Sequence, residues 1–122
     1  MRRNMDLIRS LLAVIEAETD PALLMASAVI IEKYSQDKVV AHVGMLDDAG
    51  FIEGNAITFL GNTPSDYTIQ RLTWKGHEFL NAARSDTIWS KATQRIAGVG
   101  GSVSIATMGE VLGAVAKEML QK

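Results

Sequence analysis

The chain has 122 residues with no cysteine, a hydrophobic content of 48% and a formal net charge of −2 at pH 7. The absence of cysteine excludes a disulfide scaffold, a thiolate zinc site and a cysteine nucleophile, and the slight negative charge argues against strong sequence-independent binding of phosphates. The size suits one domain with its own core, and we expect it to be soluble and cytoplasmic because the longest apolar stretch, residues 21–31, is about half a membrane span.

The first half of the chain predicts two helices with an extended segment between them. Apolar residues at helical spacing after an asparagine cap predict an amphipathic helix over residues 5–18. The β-branched residues further on favour a short strand near residues 27–32. Ser35 then caps a second helix, which ends at Gly50 because glycine readily takes a left-handed conformation. Gly44, inside this helix, costs about 1 kcal/mol relative to alanine unless another backbone packs closely against it.

The second half of the chain predicts a β-hairpin followed by helices. Residues 55–60 and 67–73 have the composition of strands, and turn-forming residues join them. Thr73 caps a helix that runs to about residue 84, and Asp86 caps the next helix. A helix, a short strand, a second helix and a hairpin are the elements of a winged-helix domain, with the hairpin as its wing. The sequence therefore predicts an α+β, winged-helix-like fold with further helices at its C-terminal end.

The C-terminal part of the chain predicts a separate helix behind a glycine-rich hinge. Residues 1–97 form the predicted winged-helix-like domain, residues 98–102 the hinge, and residues 103–122 a helix that packs on the core or on a dimer partner. This helix starts at Ser104 or Thr107. Its apolar residues recur in steps of three and four and form a seam, through which we expect a homodimer: Ile105, Met108, Leu112, Val115 and Met119.

Several segments of the chain together are similar to one family. They are the start at residues 2–9, the entry Tyr34-Ser35 with His42, the run Ala49-Gly50-Phe51-Ile52-Glu53-Gly54, the phrase Leu72-Thr73-Trp74-Lys75-Gly76-His77-Glu78-Phe79-Leu80, and Asp86-Thr87-Ile88-Trp89. In this order they resemble domain of unknown function 2513, which occurs in phages, prophages and bacteria. The resemblance implies a winged-helix-like fold, a mobile-element origin and no established reaction. The chain departs from ordinary winged-helix regulators before Ser35, where a clear second helix is lacking.

The residues that could support catalysis or metal binding form no recognisable motif. His42 and His77 could be combined with nearby carboxylates, but their spacing matches no ligand set, and packing or hydrogen bonding is their plainer role. No Gly-x-Ser-x-Gly elbow supports a serine nucleophile. Residues 98–101 lack the preceding strand and the following lysine of a phosphate loop. We therefore predict a protein that is not an enzyme and has no metal site and no cofactor.

Two sets of residues are candidate binding surfaces, and their charges differ. Residues 35–54 carry one cation against four acids, whereas residues 71–95 carry five cations against two acids. The candidate protein interface consists of the C-terminal seam and the acidic residues Asp37, Asp47, Asp48 and Glu53. The candidate nucleic-acid contacts are Gln36, Lys38, Arg71, Lys75, Arg84, Lys91 and Arg95.

We predict that the protein binds a host or phage protein complex as a modulator or inhibitor. A DNA-binding transcriptional regulator is the alternative, and an enzyme ranks third. Basic residues that converge on the helix and wing would favour DNA, and an acidic or apolar face there would favour a protein partner.

Overall fold

The computed structural model describes residues 3–18, 24–58, 65–98 and 103–120. The elements in chain order are α1 (Met5–Glu18), β1 (Leu24–Met25), a 3-10 turn (Ala26–Ala28), α2 (Gln36–Asp48), β2 (Ile52–Ile57), β3 (Asp66–Leu72), α3 (Trp74–Ala83), α4 (Asp86–Gly98) and α5 (Ile105–Leu120). Helices combined with a small antiparallel sheet confirm the predicted α+β class.

The chain divides into two compact units, and the division falls within α3. Met1–His77 form the first unit and Glu78–Lys122 the second. The predicted hinge at residues 98–102 lies further along the chain, and its residues 99–102 are outside the described ranges, as are the hairpin residues 59–64.

The sheet is antiparallel with the strand order β1-β3-β2, so β3 lies in the middle. The predicted hairpin is confirmed, although β2 begins at Ile52, ahead of the predicted start at residue 55, because Ile52 pairs with Leu72 near the end of β3. A bulge follows between Glu53 and Gly54. A Cβ atom on Gly54 would lie 2.0 Å from the carbonyl oxygen of the facing strand, so this position requires glycine.

The predicted strand near residues 27–32 is wrong. The pairing of β1 with β3 stops at Met25, opposite Thr68, two residues before β3 reaches its own first residue, Asp66. The Asp66 carboxylate takes over instead, accepting the N–H of Ser27 at 2.9 Å and also its hydroxyl. The chain then turns through residues 26–28 rather than continuing as a strand.

The core of the first unit forms around α1, which has the predicted bounds. Asn4 caps this helix by accepting the N–H of Leu7 at 3.1 Å. One face of α1 is completely buried, and α2, Phe51, both strands of the hairpin and the 3-10 turn supply the rest of the core. The buried residues of the helices and the sheet are Leu7, Ile8, Leu11, Leu12, Ile15, Val39, Val43, Leu46, Phe51, Ile52, Ile69 and Leu72.

The second unit contains α4 and α5 together with the end of α3. The Ser85 hydroxyl accepts the N–H of Ile88 at 3.2 Å, so the predicted cap of α4 is corrected from Asp86 to Ser85. The start of α5 resolves in favour of Ser104, which accepts the N–H of Thr107 at 3.1 Å. Trp89, Ala92 and Ile96 form the buried face of α4.

Candidate functional site

The first turn of α2 presents a mixed polar surface. Ser35 caps the helix as predicted, accepting the N–H of Lys38 at 3.3 Å. Gln36, Asp37 and Lys38 follow, and all three side chains are exposed. The two candidate nucleic-acid contacts here therefore flank an acid that would repel a phosphate.

The last turn of α2 is acidic and sharply terminated. Asp47 is half-buried and Asp48 is exposed, and the turn contains no basic residue. Gly50 has a φ of 79°, which confirms its predicted left-handed conformation, and its N–H donates to the Asp47 carbonyl at 3.0 Å. The N–H of Phe51 donates to the Leu46 carbonyl at 3.0 Å, which completes a Schellman motif. Two carboxylates thus lie at the helix end whose dipole favours cations.

The start of α3 is fixed against this helix end by Thr73 and Gly76. The Thr73 hydroxyl donates to the Gly50 carbonyl at 2.6 Å and accepts the N–H of Gly76 at 3.1 Å, so it is the predicted cap and also a tie to α2. A Cβ atom on Gly76 would lie 2.1 Å from the Phe51 carbonyl oxygen. Gly76 therefore allows α3 to begin directly against the exit of α2.

Trp74, the first residue of α3, has its side chain 78% exposed. The sequence analysis did not single it out. A helical wheel would have identified it, because Ala83, which is buried, lies nine residues later, or about two and a half turns at 3.6 residues per turn. That spacing puts Trp74 on the opposite side of the helix from Ala83.

The hairpin joins one candidate protein contact to one candidate nucleic-acid contact. Glu53 and Arg71 face each other across β2 and β3, and the guanidinium approaches both carboxylate oxygens, at 2.6 and 3.0 Å. Lys75 extends its ammonium group to the Ala49 carbonyl at 3.4 Å, with the Phe51 ring centroid 5.8 Å away. Both cations of this region are therefore already engaged within the chain.

Tyr67 lies over the middle of α2. Its hydroxyl would be 2.6 Å from a Cβ atom on Gly44, so the close approach predicted at this glycine exists, but it comes from a side chain and not from a backbone. The pKa of Tyr67 is raised above its ordinary value of 10.0 by burial, and further by the negative charges of Asp48 and Asp47. The electrostatic field of the two carboxylates therefore reaches this side of α2.

The two histidines have structural contacts. The Nδ1 atom of His42 lies 2.8 Å from the Lys38 carbonyl, to which it donates, and Nε2 accepts the N–H of Asn4 at 2.9 Å. Both ring nitrogens are thus used in holding α1 to α2. His77 is half-exposed and lies 3.6 Å from the carboxylate of Glu16. The described part of the chain contains no group of three or more His, Asp or Glu side chains that could hold a metal ion.

The remaining candidate nucleic-acid contacts belong to the second unit. Arg84, Lys91 and Arg95 are exposed there, and Arg95 forms an ion pair with Glu118 of α5. A groove of about 400 Å³ lies between α4 and α5 beside this ion pair. It is lined by Lys91, Gln94, Arg95, Val115, Glu118 and Met119.

The predicted apolar seam of α5 lies largely inside the second unit. Ile105 is 5% exposed, and Met108, Leu112 and Val115 are fully buried, whereas Met119 is half-buried. A Cβ atom added to Gly109 of the same helix would lie 3.5 Å from the Phe79 ring. A dimer through this seam would require these side chains to be exchanged between copies. Among the described residues, no helix is long and apolar enough to cross a membrane.

Comparison with known proteins assigns the chain to a family. A protein-family model described as hypothetical protein (DUF2513) matches residues 2–102. The chain belongs to the DUF2513 family. An uncharacterized protein of Haemophilus influenzae is 30% identical over 121 residues, which is 98% of this chain and 99% of that protein. No solved structure matches the chain significantly.

Proposed function

We propose that this DUF2513 protein is a non-catalytic binding module of winged-helix type, of phage or prophage origin, that modulates or inhibits a protein partner. The observation that carries the proposal is the charge of α2. Its charged side chains at the surface are Asp37, Lys38, Asp47 and Asp48, three acids against one base. An acidic helix repels the phosphates of nucleic acid and suits a protein surface of opposite charge.

The topology supports the winged-helix part of the proposal. A helix and a short strand precede α2, the hairpin β2–β3 follows it directly, and β1 pairs with the middle strand. In such a domain α2 takes the position of the reading helix, and the hairpin is the wing. A 3-10 turn, Ala26–Ala28, occupies the place of the bracing helix within the described residues. This difference weighs against docking in the major groove, which normally uses both helices.

The state of the cations also favours a protein partner. Arg71 is paired with Glu53, and Lys75 is engaged with the exit of α2. Arg71 could therefore neutralise a phosphate only if its pair with Glu53 opened. The second candidate, a DNA-binding regulator, is favoured by exposed Gln36 and Lys38, whose side chains can read adenine and guanine edges.

The first experiment measures the fluorescence anisotropy of a labelled random duplex, and then of the gene's own upstream DNA, at low and at physiological salt. We expect no binding to either duplex at physiological salt. Binding that weakens steeply with added salt and prefers the upstream DNA would establish the regulator instead.

The second experiment looks for the protein partner with a charge-reversal variant. Immobilised protein is exposed to host lysate, and retained proteins are compared between the parent chain and Asp48→Lys on α2. Glu110→Lys, on an exposed position of α5, is the matched control. We expect a partner that the parent and the control retain and that Asp48→Lys loses. Identical retention by all three would contradict a role for α2.

A further inference from the structure

In the segment Thr73–Gly76, Thr73 and Gly76 have clear structural roles, whereas the side chain of Trp74 has none. Thr73 caps α3 and ties it to Gly50, and Gly76 leaves room for the Phe51 carbonyl. Trp74, between them, is 78% exposed, and its side chain takes part in no hydrogen bond, ion pair or ring contact with the described residues. Tryptophan supplies a large apolar surface, which gains most when a partner covers it.

The backbone that carries Trp74 is held rigidly. The residue before it donates to the Gly50 carbonyl at 2.6 Å, and the residue after it, Lys75, reaches the Ala49 carbonyl at 3.4 Å. The Cα atom of Trp74 is therefore fixed against the turn that ends α2. A backbone that is already fixed loses little conformational freedom when a partner binds, as suits an anchor residue.

The helix end to which this part of α3 is tied is acidic. Asp47 and Asp48 directly precede the turn that Thr73 and Lys75 contact, and neither forms an ion pair with any residue in the described ranges. Glu53 is neutralised by Arg71, and the ammonium group of Lys75 lies over the Phe51 ring. The C-terminal end of the helix adds its own partial negative charge to the two free carboxylates.

We propose that Trp74 anchors the protein-binding surface, and that it receives a lysine or arginine side chain from a basic segment of the partner. A cation over the face of an indole ring is the strongest of the cation–π pairs in proteins. Asp47 and Asp48 complete the surface by pairing with neighbouring basic side chains of that segment. This inference rests on the proposed function, since it specifies the chemistry of the protein partner.

The two tryptophans of the chain make Trp74 a selective reporter. Trp89 is 6% exposed and therefore shielded from a quencher such as acrylamide, whereas Trp74 is open to it. The probe is a labelled octa-arginine peptide at physiological salt, with an octa-glutamate peptide and a random duplex as comparisons. We expect octa-arginine, and neither comparison, to shift the tryptophan emission to shorter wavelength and to reduce quenching by acrylamide.

Matched variants separate the anchor from general charge attraction, with the anisotropy of the labelled peptide as readout. Trp74→Ala should weaken binding about tenfold, since one cation–π pair with its covered surface accounts for that factor. Asp47→Asn with Asp48→Asn should weaken it by a similar factor. Ile30→Ala removes a similarly exposed apolar side chain, and Glu110→Gln removes an exposed charge on α5, outside the proposed surface. Both controls should bind as the parent does, and circular dichroism verifies the fold of each variant.

Each other outcome overturns the inference in a distinguishable way. No binding of octa-arginine, or equal binding by Trp74→Ala, removes Trp74 as the anchor but leaves the protein-binding proposal standing. Shielding of Trp74 by the duplex, reversed by added salt, contradicts both. Shielding in the free protein, together with a dimeric mass by light scattering, assigns the surface to a second copy of the chain.

Discussion

The Nε2 atom of His42 accepts the backbone N–H of Asn4 at 2.9 Å, which ties the start of α1 to the middle of α2. The ring can accept there only while that nitrogen is unprotonated, and Nδ1 is occupied by the Lys38 carbonyl. Burial lowers the pKa of His42 below its ordinary value of 6.5, and the positive charges of Lys38 and Arg3 lower it further, against the opposing effect of the bond to the Lys38 carbonyl. The folded state thus prefers the neutral ring.

This relationship predicts that the fold loses stability in mild acid. Because the pKa of folded His42 is below that of the unfolded chain, the unfolded state takes up a proton first, and the free energy of unfolding falls as the pH drops below 6.5. The full contribution is present above that pH. Urea unfolding between about pH 7.5 and pH 5.5 measures the slope. His42→Gln should flatten it, while His77→Gln, at a half-exposed position, should retain it. An unchanged slope in His42→Gln would assign the effect to other groups.

Gly76→Ala is expected to destabilise the first unit. The added Cβ atom would lie 2.1 Å from the carbonyl oxygen of Phe51, and that oxygen also accepts the N–H of Thr73 at 3.0 Å. The Phe51 carbonyl and the Thr73 N–H both belong to the backbone and cannot move aside as a side chain could. The start of α3 must therefore shift, at a cost of about 2–3 kcal/mol in the free energy of unfolding. Urea denaturation measures it.

Gly113→Ala is the matched control for this prediction. Apart from its chain neighbours and the backbone of its own helix, no atom of the described residues lies within 4 Å of a Cβ atom there, and the residue is inside α5. Alanine should therefore stabilise the chain by roughly 0.5–1 kcal/mol through helix propensity. Equal effects at the two glycines would show that the contact at Phe51 is unimportant.

Local sequence determined the N-terminal caps of α1, α2 and α3 and the end of α2 at Gly50. Asn4, Ser35, Gly50 and Thr73 act through residues three or four positions away, so their roles were predictable without knowledge of the fold. The strand near residues 27–32 was mispredicted because the turn at residues 26–28 is bonded to the Asp66 carboxylate, a contact distant in sequence.

The candidate site was predictable only in its charges. The acidity of α2 follows from the sequence, but the pairing of Glu53 with Arg71 depends on the register of the hairpin. The exposure of Trp74 was not predicted, because it depends on which face of α3 is covered by the rest of the protein. The apolar spacing of α5 is the same whether the helix packs within its own chain or against another chain, so the sequence could not distinguish the two.

Asp66→Asn should destabilise the junction between β1 and β3. One carboxylate oxygen accepts the N–H of Ser27 at 2.9 Å and that of Tyr67 at 2.8 Å, and the other accepts the Ser27 hydroxyl. Asparagine replaces one acceptor with a donor and weakens the charge-assisted bonds, so we expect a loss of about 1–3 kcal/mol. Urea unfolding measures this loss. Asp37→Asn, which removes an exposed carboxylate, should change stability by at most about 0.5 kcal/mol, and an equal loss in both variants would argue against a special role for Asp66.

The exposed end of α5 gives the sharpest test of the predicted dimer. Leu112 is fully buried within one chain, whereas Leu120 is 85% exposed. Leu112→Asp places a charge in the core of the second unit and should unfold it, with loss of helical circular dichroism and a red shift of the buried Trp89. Leu120→Asp should keep the fold, and it should halve the mass by light scattering if the parent is a dimer through this helix end. A folded Leu112→Asp protein with half the parent mass would instead show that α5 exchanges between two copies, because only then is Leu112 an intermolecular contact.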